Sequence, residues 1–197
     1  MDYLSNYAER VDESIGISGR INYVPHHCTA PSTKFRVVFD CSARFGGTSL
    51  NDQLLHGPDL ANNLVGVLLR FRQFPIVIVG DIRAMFSQVL VDENDRDALR
   101  FLWFKNNDLK QTVETFRMKT HVFGAKSSPC CASYALRRTA SANVTEATSE
   151  AVSAVLRNIY VDDLCLSCST EQEGIDLLCQ IKELLTFGGF HFNKNYI

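Results

Sequence analysis

The sequence has no apolar run approaching the ~20 residues that a membrane-spanning helix requires, so no membrane partner is expected. It also lacks a basic excess: 20 Lys and Arg against 22 Asp and Glu leave a net charge of −2. Nucleic-acid binders usually carry a positive surplus. Global charge says little about a local groove, however, and a carboxylate cluster that holds metal ions would itself add acidity. The opening residues MDYLSNYAERVDES are polar and acidic, unlike a secretory or mitochondrial targeting segment. Internal repeats, low-complexity tracts and Pro/Gly/Ser linkers are missing as well, which points to one continuous folding unit. The seven cysteines are odd in number and scattered. That argues against a disulfide framework and for reduced thiols inside a cell.

What is present is an ordinary globular composition, 46% hydrophobic and 21% charged, enough to bury a core. Residues 1–22 are weakly patterned and fit a short helix and a loop. Lys34 to Asp40 alternates Phe35, Val37 and Phe39 against Arg36 and Asp40 and predicts a strand; the SARFGGTSLND stretch after it predicts a turn. Leu60, Leu64, Val67, Leu68 and Phe71 fall at helical spacing, with Asp59 as the expected cap. Ile76 to Val79 reads as a buried strand. Leu99 to Phe104 and Val113 to Phe123 read as two strands joined across Asn106-Asn107-Asp108. Ser128-Pro129 opens a helix through about Arg138. Leu156 to Tyr160 and Leu164 to Ser167 flank Val161-Asp162-Asp163 as a hairpin. Thr170 and Glu173 form a capping box for a helix stopped by Gly188-Gly189. Strands and helices interleave without regular βαβ alternation. The expected fold class is α+β, an antiparallel sheet with helices packed on one face.

Two places put carboxylates where a stable fold has no need of them. Asp81 follows Gly80 at the end of the apolar run Ile76 to Val79, and Asp162-Asp163 occupies a tight turn between apolar segments. Adjacent aspartates repel, and more so where neighbouring strands exclude water. A divalent cation removes that penalty. All-oxygen donor sets suit Mg²⁺ or Mn²⁺, and a pair of such ions supports in-line phosphoryl displacement. An isolated aspartate at a strand end is more often a solvated turn residue or a cap. The YVDD string is the stronger signal.

YVDD (Tyr160 to Asp163) resembles the catalytic hairpin of reverse transcriptases, and GDIRAMFSQVLV (Gly80 to Val91) is similar to their first catalytic motif. FGAKSSP (Phe123 to Pro129) resembles the loop and helix beneath template and incoming nucleotide. KFRVVFDCSA with SLND resembles the fingers segment, and GGFHFNK the final palm motif. These blocks stand in the family's order between residues 24 and 194. Their wording (VPHHC, FRVVFDCSA, SLND, LLRFR, DRDALRFLWF, YVDD, GGF) is most similar to the BEL/Pao class of long-terminal-repeat retrotransposons.

The resemblance implies a polymerase palm-and-fingers architecture, with residues 1–22 as an N-terminal extension and 23–197 as the fingers-palm core. It implies RNA-directed DNA synthesis with two Mg²⁺ (or Mn²⁺), a dNTP, and an RNA or DNA template with its primer strand. Asp81 and Asp162 match the principal metal ligands, Asp163 the third acid, and the Ile82 carbonyl completes the site. Tyr160 and Val161 belong to the hairpin that meets the primer. Arg36 matches the fingers arginine that contacts triphosphate, where a planar guanidinium suits phosphate oxygens; Lys34 is a second candidate. Phe86 stands where the family places an aromatic ring that excludes a ribose 2′-hydroxyl. Phe123 and Gly124 lie at the nucleotide's edge, and Lys194 matches the lysine that protonates the leaving pyrophosphate. Arg83, Lys126 and the ending NKNYI depart from the family's usual wording.

No thumb, connection, RNase H, protease or integrase segment is visible, so a piece of an intracellular polyprotein is expected, in a cytoplasmic particle or the nucleus. Two rival readings are an inactive nucleic-acid-binding remnant and an RNA-dependent RNA polymerase. Cys165-x-x-Cys168 has no second pair at zinc-site spacing, and His26-His27-Cys28 reads as a loop. Arg70, Arg72, Arg137 and Arg138 fit either a nucleic-acid groove or solvated helix faces.

Overall fold

The computed structural model describes residues 3–12, 20–29 and 36–196, with the backbone alone at positions 3, 5, 36 and 194–196. In chain order the elements are α1 (Tyr3–Tyr7), β1 (Ala8–Arg10), β2 (His26–Thr29), β3 (Arg36–Phe39), α2 (Leu50–Gln53), α3 (Leu64–Phe71), β4 (Ile76–Ile82), β5 (Arg100–Phe104), β6 (Val113–Met118), α4 (Ser128–Ala142), α5 (Ser149–Asn158), β7 (Ile159–Tyr160), β8 (Asp163–Cys168), α6 (Glu171–Thr186) and β9 (Phe192–Tyr196). Every ladder between these strands is antiparallel. The fold is α+β, as the interleaved pattern predicted. Two compact units emerge: unit 1 joins Met1–His56 to Val89–Ser128, and unit 2 joins Gly57–Gln88 to Pro129–Ile197.

Unit 1 carries the sheet β1-β6-β5 and the hairpin β2-β3. Ala8–Arg10, inside the stretch expected to be an extension, adds a strand to β6 with Ala8 opposite Met118. The core gathers Val24, Phe39, Leu50, Leu99, Phe101, Met118 and Val122, all buried. Phe39 and Phe101 meet edge to face with centroids 5.3 Å apart, a favoured aromatic geometry. His26, expected in a loop, lies on strand β2 opposite Phe39. Burial among Phe39, Phe101 and Trp103 lowers its pKa, an effect opposed by a backbone hydrogen bond at Val24 and reinforced by the neighbouring His27. Beside this core runs an ion-pair chain. Asp97, only 7% exposed, accepts hydrogen bonds from Arg100 Nε at 2.9 Å and Arg117 Nη1 at 3.2 Å, and Arg117 Nε donates to Glu9 at 2.7 Å. Charges this buried persist only when paired.

Unit 2 is built on the sheet β7-β8-β4-β9. Alternation along β4 and β8 turns Ile78, Ile82, Leu164, Leu166 and Cys168 inward, against α5 and α6. Helix α6 brings Leu178, Ile181, Leu184 and Leu185 to that layer. Each such side chain, fully buried, contributes about 1.5–3 kcal/mol. The opposite face of β4 exposes Val77 and Val79. The Thr170/Glu173 capping box forms as the sequence predicted.

Other boundaries shift for local reasons. Asp59 accepts a hydrogen bond from Ala61 N–H and so closes a turn; α3 begins later, capped by Asn63, whose Oδ1 accepts from Gly66 N–H. Leu156 lies in α5, not in a strand, because Ala151, Ala154 and Val155 bury at helical spacing behind the Thr148 cap. The strand before YVDD therefore shortens to Ile159–Tyr160. Strand β6, expected to run to Phe123, ends at Met118.

Candidate active site

Strand β4 delivers Asp81 and the hairpin β7-β8 delivers Asp162 and Asp163, all within unit 2. In the β4-β8 ladder Asp81 stands directly opposite Asp163. Opposed residues have their Cβ atoms ~4.5–5.5 Å apart, and like charges placed so are destabilising. The turn is locked to β4 as well, since Ile82 N–H donates to the Asp162 carbonyl at 2.9 Å. Two acidic segments some eighty residues apart thus meet at one end of the two central strands of the sheet. Burial pushes the Asp162 carboxyl above the usual aspartate range. The charges of Asp163 and Asp81 reinforce the rise, and a hydrogen bond from its own backbone N–H partly opposes it.

The turn itself is strained. Tyr160 pairs with Asp163, leaving Val161 and Asp162 as a two-residue loop with Val161 at φ +57°. Positive φ at the first central position belongs to glycine in a type II′ hairpin turn. A β-branched residue there is an outlier of the kind that clusters at functional sites. Val161 remains partly exposed at the tip.

Around the carboxylates, Asn193 Nδ2 donates to Asp81 Oδ2 at 3.1 Å, and the Lys194 backbone stands opposite Asp81 in the β4-β9 ladder. Asn193 carried no signal of its own in the sequence beyond lying in GGFHFNK. Phe86 is half-buried in the 3-10 turn Met85–Gln88. The Arg83 backbone N–H donates to the His191 carbonyl at 2.8 Å.

Among the described residues, no three His, Cys, Asp or Glu side chains are gathered into a ready ligand shell. The donors that the β4-β8 ladder and its turn bring toward one another are the carboxylates of Asp81, Asp162 and Asp163, hard oxygens of the type Mg²⁺ and Mn²⁺ prefer. Burial, the main cause of the raised Asp162, and the smaller repulsion from Asp163 and Asp81 both disfavour its charged form, a penalty that a bound cation would relieve. In donor chemistry, though not in a gathered ligand shell, the residues present fit a divalent ion.

The remaining candidates belong to unit 1. Lys34 lies outside the described residues, and the Arg36 backbone pairs with Thr29. Phe123 is 74% exposed. Gly124, at φ +109°, could not carry a side chain, because a Cβ would lie 2.6 Å from the Phe39 carbonyl oxygen. A cavity of about 990 Å³ in unit 1 is lined by Asn22, Tyr23, Phe45 and His121 among others; none of the three acids lines it.

Arg70 and Arg137 take partners within the fold, and the two cysteines diverge. Arg137 donates to the Leu60 carbonyl and to Asn62 Oδ1 at 3.2 and 2.9 Å, and Arg70 donates to the Arg157 carbonyl. Cys165 and Cys168, three apart on β8, point to opposite faces. Among the described residues no helix is long and apolar enough to cross a membrane.

No family model matches the chain, and no curated protein matches it. Solved structures do. The foamy viral protease-reverse transcriptase in complex with an RNA/DNA hybrid aligns over 100% of this chain and 23% of its own, at TM-score 0.68 and 15% identity. The foamy viral protease-reverse transcriptase in complex with double-stranded DNA covers 94% of this chain and 27% of its own, at TM-score 0.64 and 15% identity. The native prototype foamy virus protease-reverse transcriptase covers 91% and 21%, at TM-score 0.62 and 16% identity. The chain spans roughly a quarter of the length of these structures. At such identities the likeness speaks to architecture alone, and the architecture is that of a reverse-transcriptase-like α+β polymerase fold.

Proposed function

We propose that the chain is the fingers-palm core of an RNA-directed DNA polymerase, carried in a retrotransposon polyprotein of the BEL/Pao class. The observation that carries this reading is the opposition of Asp81 and Asp163 across β4-β8, with Asp162 tied to Ile82 beside them. Asp81, Asp162 and the Ile82 carbonyl would hold two divalent ions, with Asp163 as the looser third acid. When bound, such ions activate a primer 3′-hydroxyl and stabilise the leaving oxygen of pyrophosphate. The chain's own residues do the positioning. Val161 and Tyr160 present the hairpin to the primer end. Phe86 and Lys194, in the same unit as the acids, would face the sugar and the leaving group, and the nucleotide roles of Arg36, Lys34, Phe123 and Gly124 are those that the resemblance implies.

The partners in this reading are a primed RNA or DNA template, a dNTP, and the thumb, RNase H and integrase segments of the same polyprotein, in an intracellular setting. Two of the similar structures hold an RNA/DNA hybrid or double-stranded DNA, which supports nucleic acid as the partner class.

Primer extension on an RNA template with Mg²⁺, using the chain joined to a thumb, tests the proposal. Asp81→Asn and Asp162→Asn should each reduce extension by about a thousandfold or more, the scale on which lost electrostatic stabilisation is felt. Extension that survives both substitutions would remove the carboxylates from the mechanism. Phe86→Ala should admit rNTPs; equal use of rNTP and dNTP by the unaltered chain would favour an RNA polymerase instead. Arg83, a cation two residues past Asp81, favours a second reading, a remnant that binds primer-template without extending it. Tight binding with no extension, unchanged by Asp162→Asn, is its signature.

A further inference from the structure

The β4-β9 ladder pairs Asp81 with Lys194 but the next residue, Ile82, with Phe192. Asn193 is thus the extra residue of a β-bulge, with no partner of its own in the ladder. Bulges bend a strand and re-aim one side chain, and they recur beside active sites. Phe192 anchors the distortion. Its ring lies against Gly80, where an added Cβ would come within 2.9 Å of Phe192 Cε1. Phe190, 1% exposed, fixes the chain just before it. With β9 held before position 193 by Phe190 and Phe192 and after it by the pairing of Lys194 with Asp81, the amide reaches Asp81 Oδ2 at 3.1 Å.

From this geometry we infer that Asn193 is a positioning residue for Asp81, holding Oδ2 so that Oδ1 is presented to a divalent cation. The inference rests on the metal-site reading of Asp81 given above. An uncharged donor suits the task. It orients the carboxylate as an outer-shell partner does and adds no negative charge to a site where Asp81, Asp162 and Asp163 already repel. A lysine or arginine in its place would compete with the cation by neutralising the carboxylate.

Mn²⁺ binding to the full chain, followed by loss of the free-ion electron paramagnetic resonance signal, tests this without any requirement for activity. Asp81→Asn and Asp162→Asn serve as the reference for the site itself. If neither alters Mn²⁺ affinity, the metal-site reading fails whatever position 193 does. If both weaken it, Asn193→Leu and Asn193→Ala should each weaken Mn²⁺ binding by about tenfold, and Asn193→Gln should return it to within about threefold. Circular dichroism and thermal unfolding establish that each variant is folded, and the alanine variant carries the test if the leucine variant is not. Unchanged affinity in the folded variants overturns the inference. So does a loss that glutamine fails to rescue, since that would mark packing in place of a donated hydrogen bond.

Discussion

Asn51 holds Gly124 in place across 73 residues of sequence, its Nδ2 donating to the Gly124 carbonyl at 3.0 Å. The same amide donates to Ser42 Oγ at 3.0 Å, and its Oδ1 accepts from Lys126 N–H at 2.8 Å. The SLND and FGAK segments are therefore one braced assembly. Lys126 joins it by donating from Nζ to the Asn51 carbonyl at 3.2 Å.

Replacing Gly124 should be the harsher way to break this assembly. Gly124→Ala places a Cβ 2.6 Å from the Phe39 carbonyl oxygen at φ +109°, and should cost about 2 kcal/mol or more of stability. Asn51→Ala removes side-chain hydrogen bonds without a clash and should cost about 1–2 kcal/mol. Urea unfolding of both variants measures the order, and amide hydrogen exchange at Lys126 should accelerate in Asn51→Ala.

Relief of the hairpin strain should stabilise the protein. Val161 sits at φ +57°, a conformation asparagine tolerates far better. Val161→Asn should raise stability by about 0.5–1 kcal/mol, read as an upward shift in Tm, while primer extension falls if the strained tip serves the primer end.

The pH dependence of unit 1 follows from Asp97. Burial alone would raise its carboxyl, but hydrogen bonds and charges from Arg100 and Arg117 outweigh burial and hold it below the ordinary value near 3.8. A carboxylate depressed on folding adds stability above its unfolded pKa and loses it as pH falls through the folded pKa. Acid should therefore destabilise the protein progressively from about pH 4 downward. Asp97→Asn should remove that component while lowering stability at pH 7, because it leaves Arg100 without its ion pair. His121 acts in a higher window. Burial lowers its pKa from 6.5, so the folded state favours the neutral ring, and its contribution declines as pH drops below that value. Denaturant titrations between pH 3 and 8 resolve the two.

Thiol chemistry should sort by burial. Cys41 is 2% exposed, and burial, aided by the Asp40 charge, pushes its thiol up to about 11. Cys28 and Cys179 are exposed. Alkylation of the native chain at neutral pH should label Cys28 and Cys179 first and Cys41 only on unfolding, which peptide mapping reports directly.

Much of the architecture was legible residue by residue. The Thr170/Glu173 capping box, the Ser128-Pro129 helix start and the Ile76 strand are local, since each is decided by contacts within a few positions. Boundaries failed where local signals competed. Asp59 looked like a cap yet closes its own turn on Ala61, and the apolar run through Leu156 did not reveal where α5 gives way to β7. Ala8–Arg10 has no strand signature of its own; it becomes a strand because β6 offers an open edge.

By itself the sequence determined that acids would stand at a strand end and at a hairpin tip, and that helices and an antiparallel sheet would surround them. Only the tertiary structure decided that Asp81 would face Asp163 and that a bulge would turn Asn193 toward Asp81. Ladder register between distant strands is set by the packing of whole faces, and a slip of one residue would carry each side chain to the other side of the sheet. No local pattern in the chain encodes that choice.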